Sequence, residues 1–378
     1  MFTLVGLKLE YDQHCWSRGE MWDLDQSPIA NINTVPDVGS TMSTNTRATA
    51  SILVSPQTLK RQYPLDDDMK NLIGQWRQTV RDILKGKDPR LLVIVGPCSV
   101  HDPIAVVDYA HKLARLAKKC HNMFFVVRTY FEKPRTRKGW SGFMHDPYLD
   151  GSNNMQAGIA MSRKLVIEIA KLGLPCATET LSLLAPQYLD DVITFACIGA
   201  RTTESQPHRE LASGLSVPVG FKNSTRGSVG AAINSIVSAA EPKVFMGMTS
   251  MGQVAAIHTQ GNPDCCLVLR GGHQPNYRAG EVDIVYQALV HEKMTDTGIV
   301  IDASHGNSGK DWEQQMVVLK YLATHRHPQV RGIMMESFVN NGKQSLKDTP
   351  LSYGVSITDS CIGWEHSEQL LHYIHQHL

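Results

Sequence analysis

Charged and metal-ligating residues recur along this 378-residue chain at one kind of place, the end of a short apolar run. Arg128 follows "MFFVV" (123–127), Glu179 follows "PCAT" (175–178), and Arg201 comes just after "FACIG" (195–199). Lys222 follows "VPVGF" (217–221) and Arg270 follows "CCLVL" (265–269). His305 comes three residues after Asp302, which closes "GIVID" (298–302). Glu336 ends "GIMME" (332–336), and Asp359 lies in the segment beyond. Two chemistries sort this set. Arg128, Lys133, Arg135, Arg201, Lys222 and Arg270 are cations without an equal number of carboxylates nearby. Arginine offers a planar fork for phosphate or carboxylate, and lysine a compact point charge. Six of them suit two anionic substrates, or one substrate with several phosphates. Cys98, in "LLVIVGPCSVHDP" (91–103), joins His305, Glu336 and Asp359 as a thiol, an imidazole and two carboxylates. All are ligands for a divalent transition metal. Three other readings stay open here: Cys98 as a small core hydrophobe, a Cys98–His305 nucleophile and base, or Lys222 as a Schiff-base nucleophile.

Residues so far apart in sequence act together only if the fold gathers them. Eight β-rich runs, the seven just named or implied plus "LLVIV" (91–95), alternate with helical patterns at 104–119, 156–172, 227–240, 281–293, 312–325 and 364–376. Alternation of this kind implies a parallel sheet, and eight strands predict a (β/α)8 TIM barrel, whose active sites lie at the C-terminal rim of the strands. An open doubly wound sheet is the rival, but no GxGxxG nucleotide turn is present. The barrel spans 91–378, with an inserted segment around 243–262. A helical extension covers 55–90: Ser55 and Pro56 fit an N-cap and first helical position, and Met69, Leu72, Ile73, Trp76, Val80, Ile83 and Leu84 recur at helical spacing before Gly86. Residues 1–54, rich in Ser, Thr, Asn and Pro, read as a flexible N-terminal leader.

Bulk properties exclude several classes. An apolar share of 42% against 19% charged residues describes a globular protein with a large core, and a net charge of +1 gives no electrostatic case for nucleic acid or an anionic membrane. No apolar run reaches the roughly 18 residues of a membrane span, and the N-terminus lacks the pattern of a secretory signal. Eight cysteines without a CxxC pair suit neither a disulfide scaffold nor a zinc module, so a cytoplasmic location is expected.

"GPCSVHDP", "RTYFEKPRT", "IGARTTESQPHRELASGLSVPVGFKN", "LVLRGGHQPNY", "DASHGNS", "MMESF" and "GVSITDSCIGWE" resemble the type I 3-deoxy-D-arabino-heptulosonate 7-phosphate (DAHP) synthases, in the microbial branch regulated by aromatic amino acids. The resemblance runs from about residue 55 to the C-terminus. It implies condensation of phosphoenolpyruvate with erythrose 4-phosphate, the first step toward chorismate. It also implies one divalent metal ion (Mn2+, Fe2+, Co2+ or similar) on Cys98, His305, Glu336 and Asp359. Phosphoenolpyruvate falls to Arg128, Lys133, Glu179, Ala200, Arg201, Lys222 and Arg270, and erythrose 4-phosphate to Lys133, Pro134, Arg135 and Thr136. Lys133 and His305 carry the catalytic roles. A synthase acting on another aldose phosphate, as for Kdo 8-phosphate, shares the barrel but not the "KPRT" form. A catalytically silent regulatory barrel would have lost ligands, and all four are present.

The same resemblance implies a homodimer or homotetramer, a regulatory role for the inserted segment around 243–262, and an inhibitor site at Pro186, Gln187, Gly214, Ser216, Phe245, Gly247 and Ile257. Glycine at 247, where serine accompanies phenylalanine sensitivity, favours tyrosine as the inhibitor, because losing a hydroxymethyl group makes room for a phenol hydroxyl. Arg137, Ser141, Ser224 and Arg226 depart from the usual family pattern. Cys361 stands two residues beyond Asp359, on the same side of an extended segment, and is a candidate to oxidise with Cys98 when metal is absent.

Overall fold

The computed structural model describes residues 50–378. The leader expected over 1–54 therefore falls, for residues 1–49, outside the described residues.

Two helices precede the first strand. The first, α1 (Pro56–Gln62), begins as its sequence predicts: the Ser55 hydroxyl accepts from the Thr58 amide and Pro56 occupies the first turn. The second, α2 (Asp67–Leu84), is capped by the Asp66 carboxylate, which accepts from the Met69 amide, and carries Asp67 and Asp68 in its first turn. It ends where Gly86 adopts φ +72° and the Lys87 amide reaches back to the Asp82 carbonyl.

The chain then alternates. In order come β1 (Leu91–Gly96), α3 (Pro103–Ala117), β2 (Met123–Arg128), α4 (Met155–Lys171), β3 (Cys176–Thr180) and β4 (Phe195–Ile198). Next are α5 (Gln206–Gly214), β5 (Val219–Lys222), α6 (Gly230–Ala240), β6 (Val244–Met248) and β7 (Val254–His258). The remainder is β8 (Cys265–Leu269), α7 (Ala279–His291), β9 (Ile299–Asp302), α8 (Trp312–Thr324), β10 (Val330–Glu336) and α9 (Trp364–Gln376). Eight of these strands form a closed barrel in the order β1-β10-β9-β8-β5-β4-β3-β2, every pair parallel. The fold is thus a TIM barrel with an N-terminal extension.

The strands are nearly continuous apolar runs because the barrel interior covers one face and the helices the other. Leu92, Ile94, Val126, Ala177, Phe195, Cys197, Cys266, Val268, Val300 and Met334 form one buried cluster inside it. Val80, Ile83 and Leu84 of α2 belong to the same cluster, so the extension closes the barrel floor. Each such side chain contributes about 1.5–3 kcal/mol when fully buried. On the outer side of α2, Arg81 and Lys85 meet Asp264 at 2.6 and 2.7 Å, tying it to the start of β8.

Two features differ from the sequence reading. The helix expected at 227–240 begins only at Gly230, because the preceding segment turns through Gly227 at φ +104°. Helix α5 falls in a stretch for which the apolar pattern predicted none. Within the 243–262 segment, β6 and β7 pair antiparallel as a two-stranded sheet apart from the barrel.

Candidate active site at the strand ends

The C-terminal ends of the strands surround a cavity of about 550 Å³. Its lining brings together Arg128, Lys133, Pro134, Arg135, Thr136, Glu179, Ala200, Arg201, Lys222, Arg270, His305 and Asp359, which lie up to 231 positions apart in the chain. Arg128 and Lys222, expected just after their strands, are final strand residues and Glu179 lies inside β3, while Glu336 ends β10 as expected. Cys98 and Glu336 are fully buried and sit beneath this lining.

The loops reach their places through close backbone approach. Gly271 has φ +71°, and a Cβ there would stand 2.4 Å from the Gly306 carbonyl carbon. The loops after β8 and β9 therefore touch, and the Gly306 amide donates to the Arg270 carbonyl at 2.9 Å. His305 itself has φ +56°, an uncommon backbone for a residue with a side chain. The neighbouring Asn307 holds that turn: its Nδ2 donates to the carbonyls of Leu269 and Asp302. Asn223, directly after Lys222, accepts the Arg270 amide at 2.8 Å and donates to the Gly271 carbonyl.

The cations divide into two populations. Three are paired and largely buried, and a fourth, Lys310, is exposed and meets Asp359 Oδ1 at 3.1 Å. Arg128 Nη2 lies 2.8 Å from Glu336 Oε1, both residues 1% exposed. Lys222 Nζ meets Glu179 Oε2 at 2.8 Å. Lys133 Nζ donates to Cys98 Sγ at 2.8 Å and lies 3.6 Å from Asp359 Oδ2. By contrast Arg135, Arg137, Lys138, Arg201 and Arg270 line the same cavity and form no ion pair among the described residues. Arg201 reaches only the Thr136 hydroxyl, at 3.2 Å. Five unpaired cations around one cavity are an anion site with its charge unspent.

Burial and charge shift the groups in the floor. Burial pushes the Glu179 carboxyl up, but Lys222 and Arg128 outweigh it and bring it down to about 2. Burial works against the charge on Lys133, yet Cys98, Glu336 and Asp359 together hold its pKa above the ordinary lysine value. Burial and then Glu336 push the Cys98 thiol up, with Lys133 opposing them. Tyr130 was not singled out in the sequence. Its ring centroid lies 3.6 Å from the Arg128 guanidinium carbon and 5.3 Å from Lys222 Nζ, so its π system attracts both cations.

One ligand atom each from Cys98, Glu336 and Asp359 lie within 4.8 Å of one another. His305 Nε2 is 3.8 Å from Glu336 Oε1, beside that cluster though outside it by this measure. A thiol, two carboxylates and an adjacent imidazole fit a divalent transition metal.

Residues 57–372 match the DAHP synthetase I family. The chain belongs to that family. It is similar to the Tyr-sensitive phospho-2-dehydro-3-deoxyheptonate aldolase of Escherichia coli K12, 45% identical over 337 residues that cover 86% of this chain and 93% of the relative. The Phe-sensitive enzyme of the same organism is 44% identical over 324 residues, covering 84% and 92%. The solved phospho-2-dehydro-3-deoxyheptonate aldolase of Francisella tularensis SCHU S4 superimposes with a TM-score of 0.85 at 40% identity, over 88% of this chain and 98% of that one.

The residues expected at an inhibitor site lie away from the cavity. Pro186 and Gln187 are in a short 3-10 helix (Ala185–Tyr188). Pro186 and Ser216 line a small, mostly apolar cavity of about 40 Å³. Phe245, Gly247 and Ile257 share one face of the β6–β7 hairpin, where Phe245 pairs with Ile257. A Cβ at Gly247 would stand 2.8 Å from Ile257 Cγ1 and 3.3 Å from the Phe245 ring. Gly214 ends α5 against Thr259, just past β7. Cys98 and Cys361 are both free thiols, and the Cys98 amide points at Cys361 Sγ from 3.4 Å.

Proposed function

We infer that this rim joins phosphoenolpyruvate to erythrose 4-phosphate and water, giving 3-deoxy-D-arabino-heptulosonate 7-phosphate and phosphate. This is DAHP synthase chemistry, the aromatic-regulated first step of the shikimate pathway. The observation that carries the assignment of residues is a thiol–carboxylate cluster at the base of a cavity lined by five cations that form no ion pair among the described residues.

Arg201, Arg270 and Lys222 hold the phosphate and carboxylate of phosphoenolpyruvate, with Arg128 beneath them and Glu179 and the Ala200 backbone alongside. Lys133, Pro134, Arg135 and Thr136 receive erythrose 4-phosphate, so Lys133 stands between the two substrates. Fixing both anions in reacting contact removes much of the entropic barrier to joining them. Cys98, His305, Glu336 and Asp359 would hold a divalent ion, which when bound would supply Lewis-acid polarisation of the aldehyde oxygen. The new C–C bond forms between the enol methylene carbon and the aldehyde carbon. Lys133, kept protonated by the anions around it, gives its proton to the former aldehyde oxygen. Water then adds at the phosphate-bearing carbon, and phosphate leaves.

Tyrosine is the proposed inhibitor, held by the residues around Gly214, Ser216 and the hairpin, where a serine at 247 would press on Ile257 and Phe245. The enzyme works as a homo-oligomer. Following phosphoenolpyruvate loss with both substrates, with EDTA and after restoring Mn2+, tests the reading. Loss that requires erythrose 4-phosphate and metal supports it. No turnover on any aldose phosphate with metal supplied would leave a silent regulatory barrel.

A further inference from the structure

Asp302, the last residue of β9, is completely buried, and nothing so far has given it work. Its Oδ1 accepts from the Ser304 hydroxyl at 2.6 Å and from the Ser304 amide at 3.1 Å. Its Oδ2 lies 2.9 Å from His305 Nδ1 and 3.7 Å from Lys222 Nζ. Ser304 Oγ is itself 2.8 Å from His305 Nδ1.

Donor counting fixes the protons. A serine hydroxyl has one proton to give, and at 2.6 Å that proton goes to the Asp302 carboxylate, which can only accept. Toward His305 the same oxygen can then only accept, so Nδ1 must carry the hydrogen. Asp302 Oδ2, 2.9 Å from Nδ1 and without a well-aligned hydrogen bond of its own, sets a buried negative charge beside that hydrogen. In the neutral ring the Nε2 lone pair is then left bare, and that nitrogen is the one facing Glu336. The left-handed backbone at His305 is what brings Nδ1 back over residues 302 and 304.

We propose that Asp302 and Ser304 are positioning residues that lock His305 in its Nδ1–H tautomer and so make Nε2 a metal ligand. This rests on the reading of His305 as a ligand. Asp302 also spans the site, because its second oxygen faces Lys222 and thereby links the metal half of the rim to the phosphoenolpyruvate half. Partners that orient a ligating histidine are worth about 10–100-fold in metal affinity.

The test uses the full chain, stripped of metal by chelation, with Asp302→Asn and Ser304→Ala alongside. Long-range 1H–15N correlation of 15N-histidine-labelled protein reads the His305 tautomer without any metal. Competition with a fluorescent chelator reads Mn2+ and Co2+ affinity without any substrate. The expected result is Nδ1–H in the parent chain, loss of that single tautomer in Asp302→Asn, and a fall in metal affinity of about 10–100-fold. Ser304→Ala, which removes the hydroxyl facing Nδ1, is expected to mix the tautomers and lose less affinity, and if Asp302→Asn fails to fold, an unchanged tautomer in Ser304→Ala overturns the lock. An Nε2–H tautomer in the parent chain, or an unchanged tautomer in Asp302→Asn, overturns the lock. A changed tautomer with unchanged affinity overturns the metal half of the proposal and His305 as a ligand with it. Failure of the parent chain to bind either ion overturns the metal reading itself.

Discussion

At the scale of single residues, the rim works by unequal pairing. Lys222 keeps its charge in a buried place because Glu179 and Asp302 outweigh the burial that would remove it. Glu179→Gln takes away the nearer partner and leaves burial in control, so the Lys222 pKa falls. The expected outcome is a higher KM for phosphoenolpyruvate and an alkaline limb of kcat/KM that moves to lower pH, read from a pH–rate profile. An unchanged alkaline limb would exclude Lys222 as the group being titrated. Cys98 gives the opposite sign. Burial raises its thiol pKa, so the thiol is protonated near neutrality and must release that proton to ligate. Metal affinity is expected to rise with pH, by about tenfold per unit while one proton is displaced. Cys98→Ala should flatten that slope as well as weaken binding. Gly247→Ser places a side chain against Ile257 and Phe245. It should weaken inhibition by tyrosine and strengthen inhibition by phenylalanine, measured as the ratio of the two half-inhibitory concentrations.

At the scale of elements, the floor helix is the part whose removal the barrel should feel most. Ile83 is fully buried inside the cluster that fills the barrel, so Ile83→Ala should cost about 2–5 kcal/mol in urea unfolding, lowering the midpoint with little change in slope. Asp264 fastens the same helix from outside. Burial raises its carboxyl pKa, but Lys85 and Arg81 more than reverse this and hold it below the usual value. The stability it contributes is therefore present above the unfolded-state pKa of about 3.9 and is lost as pH falls through the lower folded value. Asp264→Asn should lower stability by about 1 kcal/mol at pH 7 and by much less near pH 2, since the pair is partly solvent-screened.

The elements also explain what the sequence made legible. Barrel strands are visible because burial on both faces forces unbroken apolar, β-branched runs such as "LLVIV" and "CCLVL". The β6–β7 hairpin was not resolved into strands because both of its faces are apolar. Phe245 and Ile257 lie on one side, Val244, Met246 and Val254 on the other, and the in–out contrast that marks a half-buried strand is missing. Helix α5 is short and carries Pro207 and Gly214, so its apolar positions never complete a clear stripe. In the site, residues with charge were legible by their place after each strand. Asn223, Asn307, Ser304 and Tyr130 were not, since an uncharged group that holds a neighbour has no signature until the neighbour's position is known.

At the scale of the whole molecule, the outer face of the hairpin stands out: Met246 is 82% exposed, Val254 77% and Val244 62%. A contiguous apolar face of this kind marks an association surface, and the family reading expects self-association. Light scattering after size exclusion should give a multiple of 41.9 kDa, and Met246→Lys with Val254→Glu should shift it toward smaller species. No helix among the described residues is long and apolar enough to cross a membrane.

The barrel floor also bears on how the chain is made. Helix α2 leaves the ribosome before any barrel strand, yet its apolar face packs on Val300 and Met334, and Gly86 at its end packs against Arg331. Its docking site is complete only when the last barrel strand, β10, closes against β1. For most of translation Val80, Ile83 and Leu84 are therefore a sticky surface waiting for a partner still unsynthesised. A chain stalled before about residue 330 holds an unclosed sheet and an unplaced helix together, the conditions under which partly folded chains aggregate. Helix α2 is made early and seated late, so folding of this enzyme commits only once β10 has been synthesised.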